Sequence, residues 1–208
     1  MVAGTKTQYK GMVISGMKNF SMPEQISPTL ELDELERLKH SLEENVSKEM
    51  AEAVMTELPL AINSTPKMRA EWVEKLSVVL EKRFDERTVK NIRQGCYCNE
   101  NGKLEDIANS LRQLYLSLDQ NLFRFVEAMN ANGAGWFIRD NQLYTKMFIC
   151  QCPMLEAAEN SNSLTWCHCT AGYNKKFFEI VFERSVDAEI LQSIRQGFEF
   201  CLMRITIQ

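Results

Sequence analysis

Apolar residues recur every three or four positions along the first half of the chain, which is the spacing of one face of an α-helix. This pattern predicts helices from Pro28 to about Met129. After an N-cap at Ser27 we expect one long amphipathic helix, whose apolar stripe is Leu35, Leu38, Leu42, Val46, Met50, Val54 and Leu58. A second helix is predicted from about Pro66 to Lys82, with an apolar face of Met68, Trp72, Leu76 and Leu80.

Shorter helical segments follow. A third helix is predicted to begin at Asp85 and to end at Gly95, because glycine is a common C-terminal cap. This arrangement places Cys96 and Cys98 just beyond a helix end. Two further helical faces are formed by Leu104, Ile107, Leu111 and Leu114, and then by Leu122, Phe123, Val126 and Met129.

Beyond residue 135 the pattern changes to runs of β-branched and aromatic residues. It predicts strands at 136–139 and 143–149 that form a hairpin, a strand at 176–183, a helix at 187–196 and a closing strand at 198–207. The predicted class is therefore α+β: a helical N-terminal half packed on a small antiparallel sheet with a crossing helix in the C-terminal half.

This pattern divides the chain into three parts. Residues 1–27 are expected to be a loosely ordered N-terminal segment, 28–132 a helical region and 133–208 a cysteine-rich α+β region. A single continuous domain from residue 28 is the alternative division.

Charge and hydropathy narrow the classes of function. The 24 Lys and Arg residues against 28 Asp and Glu give a net charge of −4, without a basic block, so we expect no nucleic-acid surface. The first thirty residues contain no apolar run typical of a signal peptide, and no later segment reaches the roughly 20 apolar residues of a membrane span. We therefore expect a cytoplasmic protein that does not bind membranes.

Six of the seven cysteines form three Cys-x-Cys pairs, Cys96/Cys98, Cys150/Cys152 and Cys167/Cys169, and Cys201 stands alone. In a reducing cytoplasm such pairs favour metal binding or thiol chemistry over structural disulfides. Residues i and i+2 of an extended strand point to the same face, so the second and third pairs would each present two thiols side by side.

Two such pairs facing each other could supply four sulfur ligands. Sulfur-rich tetrahedral sites suit zinc first, with iron or copper as alternatives, although the Cys-x-Cys spacing is tighter than the Cys-x2-4-Cys of most zinc sites. The candidate metal ligands are Cys150, Cys152, Cys167, Cys169 and Cys201, with Cys96 and Cys98 as secondary candidates.

Three other interpretations remain open. The cysteines could be inert core residues, which suits Cys201 in its apolar strand best. A catalytic thiol would need a base, and the candidates for that pair are Cys152 and His168. A partner-binding module built on the long helix would use no cysteine, and a homodimer through the helical half is consistent with its amphipathic pattern.

The C-terminal sequence resembles two related groups of proteins. The motifs are Trp166-Cys-His-Cys-Thr-Ala-Gly-Tyr and Ser193-x3-Gly197-x3-Cys201-Leu-Met-Arg-Ile. They resemble the vinyl-4-reductase-type domain, and together with Cys-x-Cys-Pro and the helical half they resemble a cysteine-rich bacterial family related to aminothiazoline-carboxylate hydrolase-like proteins. The resemblance covers about Gly95 to Gln208.

The resemblance to the vinyl-4-reductase-type domain implies an α+β ligand-binding fold with a structural zinc beside a pocket for a small apolar molecule. Cys167 and Cys201 match zinc-ligand positions of that domain, whereas Ser193 and Ile190 stand where it has a cysteine and a glutamate. Cys169, Cys150 or Cys152 would have to substitute for those ligands.

The expected function is therefore a bacterial metal- or small-ligand-binding protein or sensor. The alternative is a hydrolase of a small cyclic amide or thiazoline-like substrate that uses a cysteine nucleophile or a metal-bound water.

Overall fold

The computed structural model describes residues 29–99, 103–161 and 163–208, so the predicted N-cap at Ser27 and segment 1–27 lie outside the described residues. The elements in these ranges confirm the α+β class. The helices are α1 (Leu30–Asn45), α2 (Lys48–Glu57), α3 (Pro66–Arg83), α4 (Glu86–Gly95), α5 (Lys103–Ser117), α6 (Leu122–Asn130) and α7 (His168–Phe182). The strands are β1 (Phe137–Arg139), β2 (Gln142–Met147), β3 (Val186–Gln192) and β4 (Cys201–Ile207).

The predicted long first helix is wrong, because the chain breaks between α1 and α2. Val46 leaves helical backbone geometry, and the Ser47 side chain accepts a hydrogen bond from the Met50 amide as the N-cap of α2. Leu38, on the predicted stripe, is nevertheless buried. The periodicity located the apolar face correctly but did not reveal the new N-cap within it.

The next two helices confirm their predicted positions. Thr65 caps α3 with Pro66 in its first turn, and Asp85 caps α4 by accepting a hydrogen bond from the Thr88 amide. Three of the four residues predicted for the apolar face of α3 are buried, but Met68 is exposed.

The hairpin is confirmed as β1 and β2, which pair antiparallel. Asp140 and Asn141 both have positive φ, as a two-residue type I′ turn requires. β2 ends at Met147, however, and does not run into Cys150 as predicted. The sheet order is β1-β2-β4-β3, with every neighbouring pair antiparallel.

Two predictions between residues 168 and 196 are wrong. The segment predicted as a strand at 176–183 is the second half of α7 and its C-cap. Its buried residues are Phe177, Phe178, Val181 and Phe182, which form a helical stripe, although their aromatic and β-branched types favour strands. The helix α7 therefore crosses the sheet, while the crossing helix predicted at 187–196 does not exist.

That predicted helix is instead β3 followed by the short 3-10 helix Ile194–Gln196. Val186, Ala188 and Ile190 are buried at the period of two that a strand requires. The helical interpretation relied on Ile190, Leu191 and Ile194, but Leu191 is exposed.

The described residues form two apolar cores. The sheet core lies among α5, α6, α7 and the four strands, and it includes Phe125, Phe178 and Ile205. The helical core lies among α1 to α4 and the loop after β2, and it includes Leu42 and Leu76. Helices α4 and α7 pack against each other and thus join the two cores.

Close contact between α4 and α7 depends on a glycine. A Cβ atom at Gly172 would lie 2.0 Å from the main-chain oxygen of Gln94. The contact between these helices is thus close enough to exclude any side chain at this position. It sets the first turn of α7 beside the C-terminal turn of α4. None of the described helices is long and apolar enough to span a membrane.

Candidate thiol site

The first turn of α7 determines where the cysteines meet. Cys167 is the N-cap of α7 and Cys169 lies in its first turn. Two residues apart on a helix are separated by about 200° around its axis, so these side chains point in different directions. The prediction that both thiols share one face of a strand is therefore wrong. The thiols divide into two groups on different sides of the helix start.

The pair Cys150/Cys152 was also predicted to lie on a strand, and it lies instead in the loop after β2, where Cys152 directly precedes the short 3-10 helix Pro153–Leu155. This loop is fixed to the helical half because the Arg69 Nε atom donates a hydrogen bond of 3.3 Å to the Pro153 carbonyl oxygen. Cys150 and Cys152 are both half-buried. The fixed loop directs Cys152 toward the helical core.

The larger group of thiols surrounds a fully buried arginine on α4. Cys169 contributes to the raised pKa of Cys96, of Cys98 and of Cys152, so these thiols lie in the same neighbourhood. We call this group and its charged neighbours the Arg93 site, whose members are Glu34, Arg37, Arg93, Cys96, Cys98, Cys152, Trp166 and Cys169. The pair Cys96/Cys98, expected to be secondary, thus lies beside Cys169.

Two arginines of the Arg93 site share one carboxylate. The Arg93 Nη1 atom donates to Glu34 Oε1 over 3.0 Å, and the Arg37 Nη2 atom donates to Glu34 Oε2 over 2.9 Å. Arg93 is 0% exposed and Glu34 is 2% exposed. Since a guanidinium group stays protonated in proteins, these three side chains carry a surplus of one positive charge.

Three guanidinium nitrogens of this cluster are buried without an acceptor among the described residues. They are Arg37 Nε, Arg93 Nε and Arg93 Nη2. The Cys169 sulfur, a weak acceptor, is a candidate partner of Arg93, since its interaction with this arginine partly offsets the rise in the pKa of Cys169. A buried donor without a partner costs roughly 1–3 kcal/mol, and more when it is charged. The cluster therefore offers unused hydrogen-bonding capacity and positive charge to an anionic group.

Trp166 connects the buried arginine to the thiols. The Arg93 guanidinium carbon lies 3.8 Å from the centre of the Trp166 ring, within the range of a cation–π interaction. The Trp166 Nε1 atom donates a hydrogen bond to Cys152 Sγ over 3.4 Å. The indole therefore positions the Cys152 sulfur and the guanidinium plane relative to each other.

The thiols of the Arg93 site are held in their neutral forms. Burial raises the pKa of Cys96 and of Cys98 to about 12, with Cys169 adding to both shifts. Burial also raises the pKa of Cys152 and of Cys169, although the Arg93 charge partly offsets the shift at Cys169. The site therefore groups several thiols in poorly solvated surroundings, which favour their protonated, neutral form.

Cys96 and Cys98 differ in their surroundings. Cys96 is fully buried, and its thiol donates to the carbonyl oxygens of Ile92 at 3.2 Å and Arg37 at 3.8 Å. Cys98 is exposed to solvent on one side, while protein atoms crowd its other side and raise the pKa of its thiol. The Arg93 site therefore opens to solvent at Cys98.

The smaller group of thiols, the Ser193 group, consists of Cys150, Cys167, Ser193 and Cys201. The Ser193 hydroxyl oxygen lies 3.5 Å from Cys167 Sγ and 3.7 Å from Cys201 Sγ. The Ile194 amide donates to Cys201 Sγ over 3.3 Å. Burial raises the pKa of Cys167 to about 12; the hydrogen bond with Ser193 partly offsets this rise, and Cys169, Cys201 and Cys150 add to it.

The two catalytic candidates, Cys152 and His168, are both neutral at pH 7. Burial, with the charges of Lys90 and Arg93, lowers the pKa of His168 to about 4. Its Nδ1 atom is buried without a hydrogen-bond partner among the described residues. No hydrogen bond joins His168 to Cys152 in that part of the chain. The hydrolase interpretation stays a prediction.

As they stand, no three His, Cys, Asp or Glu side chains within 29–99, 103–161 and 163–208 are arranged to hold a metal ion. A cavity of about 280 Å³ lies between α1, α4 and α7, but amide and lysine side chains line it, including Asn91, Gln94 and Lys175. It does not match the expected apolar pocket. Zinc and a small apolar ligand stay predictions.

The sequence interpretation did not single out Arg93 or Glu34. For Arg93, however, the sequence contained a signal of a buried charge. The buried residues of α4 and its C-cap are Val89, Ile92, Arg93 and Cys96, at i, i+3, i+4 and i+7. A charged residue at an apolar position of such a stripe indicates a buried charge that needs a partner.

A family model described as a family of unknown function (DUF6144) matches residues 32–208 of the chain. No curated protein matches the chain. Neither finding concerns the vinyl-4-reductase-type domain or the aminothiazoline-carboxylate hydrolase-like proteins, so that resemblance stays a prediction.

Proposed function

The chain belongs to this family of unknown function, and we propose that it binds a soft divalent metal ion, zinc in the first place, through the thiolates of Cys98, Cys152 and Cys169. This proposal keeps two of the five main ligands predicted from the sequence, Cys152 and Cys169, and takes Cys98 from the two secondary candidates. The remaining three, Cys150, Cys167 and Cys201, belong to the Ser193 group.

The observation that carries the proposal is the buried positive charge of the Arg93 site. Arg37 and Arg93 share the single carboxylate of Glu34, and three of their nitrogens lack acceptors among the described residues. Burying an unpaired charge is costly, so such a cluster favours an anionic occupant. A divalent ion bound by several thiolates is an anion, and thiolate sulfur accepts hydrogen bonds from guanidinium groups.

The protonation of the thiols supports the same function. A desolvated thiol is a poor nucleophile because it is not ionised at neutral pH. A soft metal ion displaces the proton and supplies the positive charge that the low-dielectric surroundings lack. Neutral thiols grouped around Cys169 thus favour metal binding over a free thiolate catalyst.

Metal loading requires a rearrangement of the ligands. Because no three ligands within the described ranges stand in metal geometry now, the three sulfur atoms must move toward one another. Cys98 lies in the segment between α4 and α5, and Cys152 lies in a loop. Cys169, in the first turn of α7, is the fixed member of the set.

Cobalt provides the test, since Co²⁺ occupies tetrahedral sulfur sites of zinc proteins and its thiolate complexes absorb in the near ultraviolet. Reduced, chelator-treated protein is titrated with Co²⁺ and then with Zn²⁺. We expect one Co²⁺ per chain, thiolate-to-cobalt absorption and full displacement by Zn²⁺. The Cys169→Ser variant should weaken Co²⁺ binding by about 100-fold or more, because it removes the central ligand.

The matched control is Cys201→Ser, a thiol of the Ser193 group with the same half-buried environment. It should leave Co²⁺ affinity unchanged. The proposal fails if the wild-type protein gives no thiolate-to-cobalt absorption. It also fails if Cys201→Ser abolishes this absorption while Cys169→Ser preserves it.

A further inference from the structure

The four-stranded sheet has two faces, one of which packs against α7. Met203 and Ile205 of β4 are buried on this side, and the residues that alternate with them point to the opposite side. We call that opposite side the outer face, and most of its side chains are exposed or half-buried. Its members include Phe137, Arg139, Lys146, Asp187, Glu189 and Arg204.

The charges of the outer face are separated by strand. Arg139 on β1 and Lys146 on β2 are cations, whereas Asp187 and Glu189 on β3 are anions. Between them on β4, Arg204 forms an ion pair with Glu189. Because β1 and β3 are the two edge strands of the sheet, one edge of the outer face is basic and the other is acidic.

The register of the sheet places one basic and one acidic residue at the same level along the strands. Arg139 pairs with Gln142 on β2, and Asp187 pairs with Thr206 on β4. The antiparallel register of β2 and β4 sets Gln142 opposite Thr206. Arg139 and Asp187 are therefore the two ends of one row across all four strands, about 14 Å apart at the backbone.

We propose that the outer face binds a second copy of this chain, sheet against sheet, about a two-fold axis parallel to the strands. Such an axis keeps each level along the strands and exchanges the two edges of the face. Arg139 of each copy then faces Asp187 of the partner subunit, so the dimer contains this contact twice. Packed sheets lie about 10 Å apart, a gap that an arginine and an aspartate side chain span together.

Both side chains are accessible for this contact. Arg139 is exposed and forms no ion pair with another described residue. The Asp187 side chain is 53% exposed, and its Oδ1 atom accepts from the Ala188 amide and lies 3.9 Å from Lys90 Nζ. Because both of these contacts are made by Oδ1, the Oδ2 atom can accept from Arg139 of the partner subunit.

Exposed apolar side chains extend the outer face at the end where β2 stops. Phe148, the residue after β2, is 54% exposed, and the centre of its ring lies 5.9 Å from that of Phe200. Leu191 on β3 is 41% exposed. The two-fold axis brings this end of one copy against the same end of the other, so these side chains leave water on dimerisation. Apolar side chains beside charges of both signs are typical of subunit interfaces.

Two charge-reversal variants and their mixture test this arrangement. Arg139→Asp and Asp187→Arg each place like charges opposite one another at both contacts of a homodimer. Each variant alone should dimerise about 100-fold more weakly than the wild type, or worse. A mixed dimer of the two variants has opposite charges at both contacts, so an equimolar mixture should recover dimerisation. The chain that carries both changes should also dimerise by itself.

Sedimentation velocity over a range of protein concentrations measures these equilibria on the full 208-residue chain. A thiol reductant and a chelator are present, so that neither a disulfide nor a metal ion joins two copies. Lys67→Asp, an exposed change on α3 that alters net charge as Arg139→Asp does, is the control and should dimerise like the wild type. Urea denaturation checks that each variant is folded, as expected for changes at exposed positions.

Three results overturn the proposal. A wild-type chain that stays monomeric at every concentration shows that a second copy does not occupy the outer face and leaves it to a different partner. Dimers that persist in both folded variants place the interface elsewhere, such as the helical half. A mixture of the two variants that stays monomeric shows that Arg139 and Asp187 do not face each other across the dimer.

Discussion

Two arginines buried in the helical half of the protein have very different surroundings. The Arg69 guanidinium donates to the Ser64 carbonyl over 2.7 Å, to Glu31 over 3.5 Å, to Glu156 over 3.3 Å and to Pro153 over 3.3 Å. Every nitrogen of Arg69 thus has an acceptor. Arg93, in contrast, shares one carboxylate with Arg37 and leaves two nitrogens without a partner among the described residues.

Under the proposed function, the difference separates a charge that fastens chain segments together from a charge that favours a bound anion. The acceptors of Arg69 come from α1, the loop before α3 and the loop after β2, so this residue fastens three segments to α3. Apart from the Glu34 carboxylate, the groups around Arg93 are thiols and the Trp166 ring, whereas Arg69 is surrounded by carbonyl oxygens and carboxylates. A buried ion that is fully paired stabilises its position, whereas one that is partly paired favours an added anion.

Arginine-to-methionine changes give the largest expected contrast. Arg69→Met leaves Glu31 buried without its cation and should lower the free energy of unfolding by about 3–5 kcal/mol in urea denaturation with chelator present. Arg93→Met leaves Glu34 paired with Arg37 and removes the surplus charge, so the loss should be about 1 kcal/mol.

The effects of the two changes on Co²⁺ affinity should have the reverse order. Arg93→Met removes the charge that balances the metal thiolate complex and should weaken Co²⁺ binding by about 10- to 100-fold. Equal losses of stability in the two metal-free variants, together with unchanged Co²⁺ affinity in Arg93→Met, would contradict the distinction.

A methyl group at the contact of α4 and α7 should disturb the Arg93 site selectively. In Gly172→Ala the new Cβ atom would lie 2.0 Å from the Gln94 oxygen, so the two helices must separate. We expect a loss of about 1–3 kcal/mol in urea denaturation, with weaker Co²⁺ binding because Cys169 moves with α7. Lys176→Ala, an exposed change on the same helix, is the control and should have no effect.

Alkaline pH should destabilise the metal-free protein through its buried thiols. The folded-state pKa of Cys96 is raised to about 12, so its contribution is fully present below the unfolded pKa of about 8.5 and is lost as pH rises toward 12. At about pH 10.5 this one thiol should account for about 3 kcal/mol.

Urea denaturation from pH 7 to 10.5 measures this loss. Cys96→Ser should flatten the pH dependence, whereas Arg69→Met should retain the wild-type slope despite its lower stability. A wild-type protein whose stability does not change over this range would show that the thiols are not desolvated.

The smallest expected effect is the loss of stability at acid pH. Because the pKa of His168 is lowered to about 4, its contribution to stability is present above pH 6.5 and is lost as pH falls toward 4. After allowance for its partial exposure, we expect about 1 kcal/mol. Thermal unfolding at pH 7 and 4.5 should show a smaller difference in His168→Gln than in the wild type, and an identical difference would refute this origin.

The helices α3 to α6 and the hairpin could be predicted from the sequence because their caps, turn residues and apolar spacing agree with each other. The segment 176–183 could not, because a run such as Phe177-Phe178 fits a buried helix and a buried strand equally well. Contacts with the sheet core decide between them. The error at 187–196 has the same origin, since Ile190 fits both periods.

The cysteine pairs show the same limit at the candidate site. Their spacing predicted that the thiols carry the chemistry of the chain, and a charged residue within the apolar stripe of α4 was visible in the sequence. Which thiols meet could not be predicted, because Cys167 and Cys169 diverge on a helix and would have shared a face on a strand.

The sequence by itself determined the α+β class, most of the helices and the presence of grouped thiols, since these depend on local periodicity and on residue type. Only the tertiary structure decided that α4 and α7 meet at Gly172, which brings Cys98, Cys152 and Cys169 around the buried charge of Arg93. The physical reason is that burial and charge pairing depend on contacts between residues far apart in the chain, which local patterns do not encode.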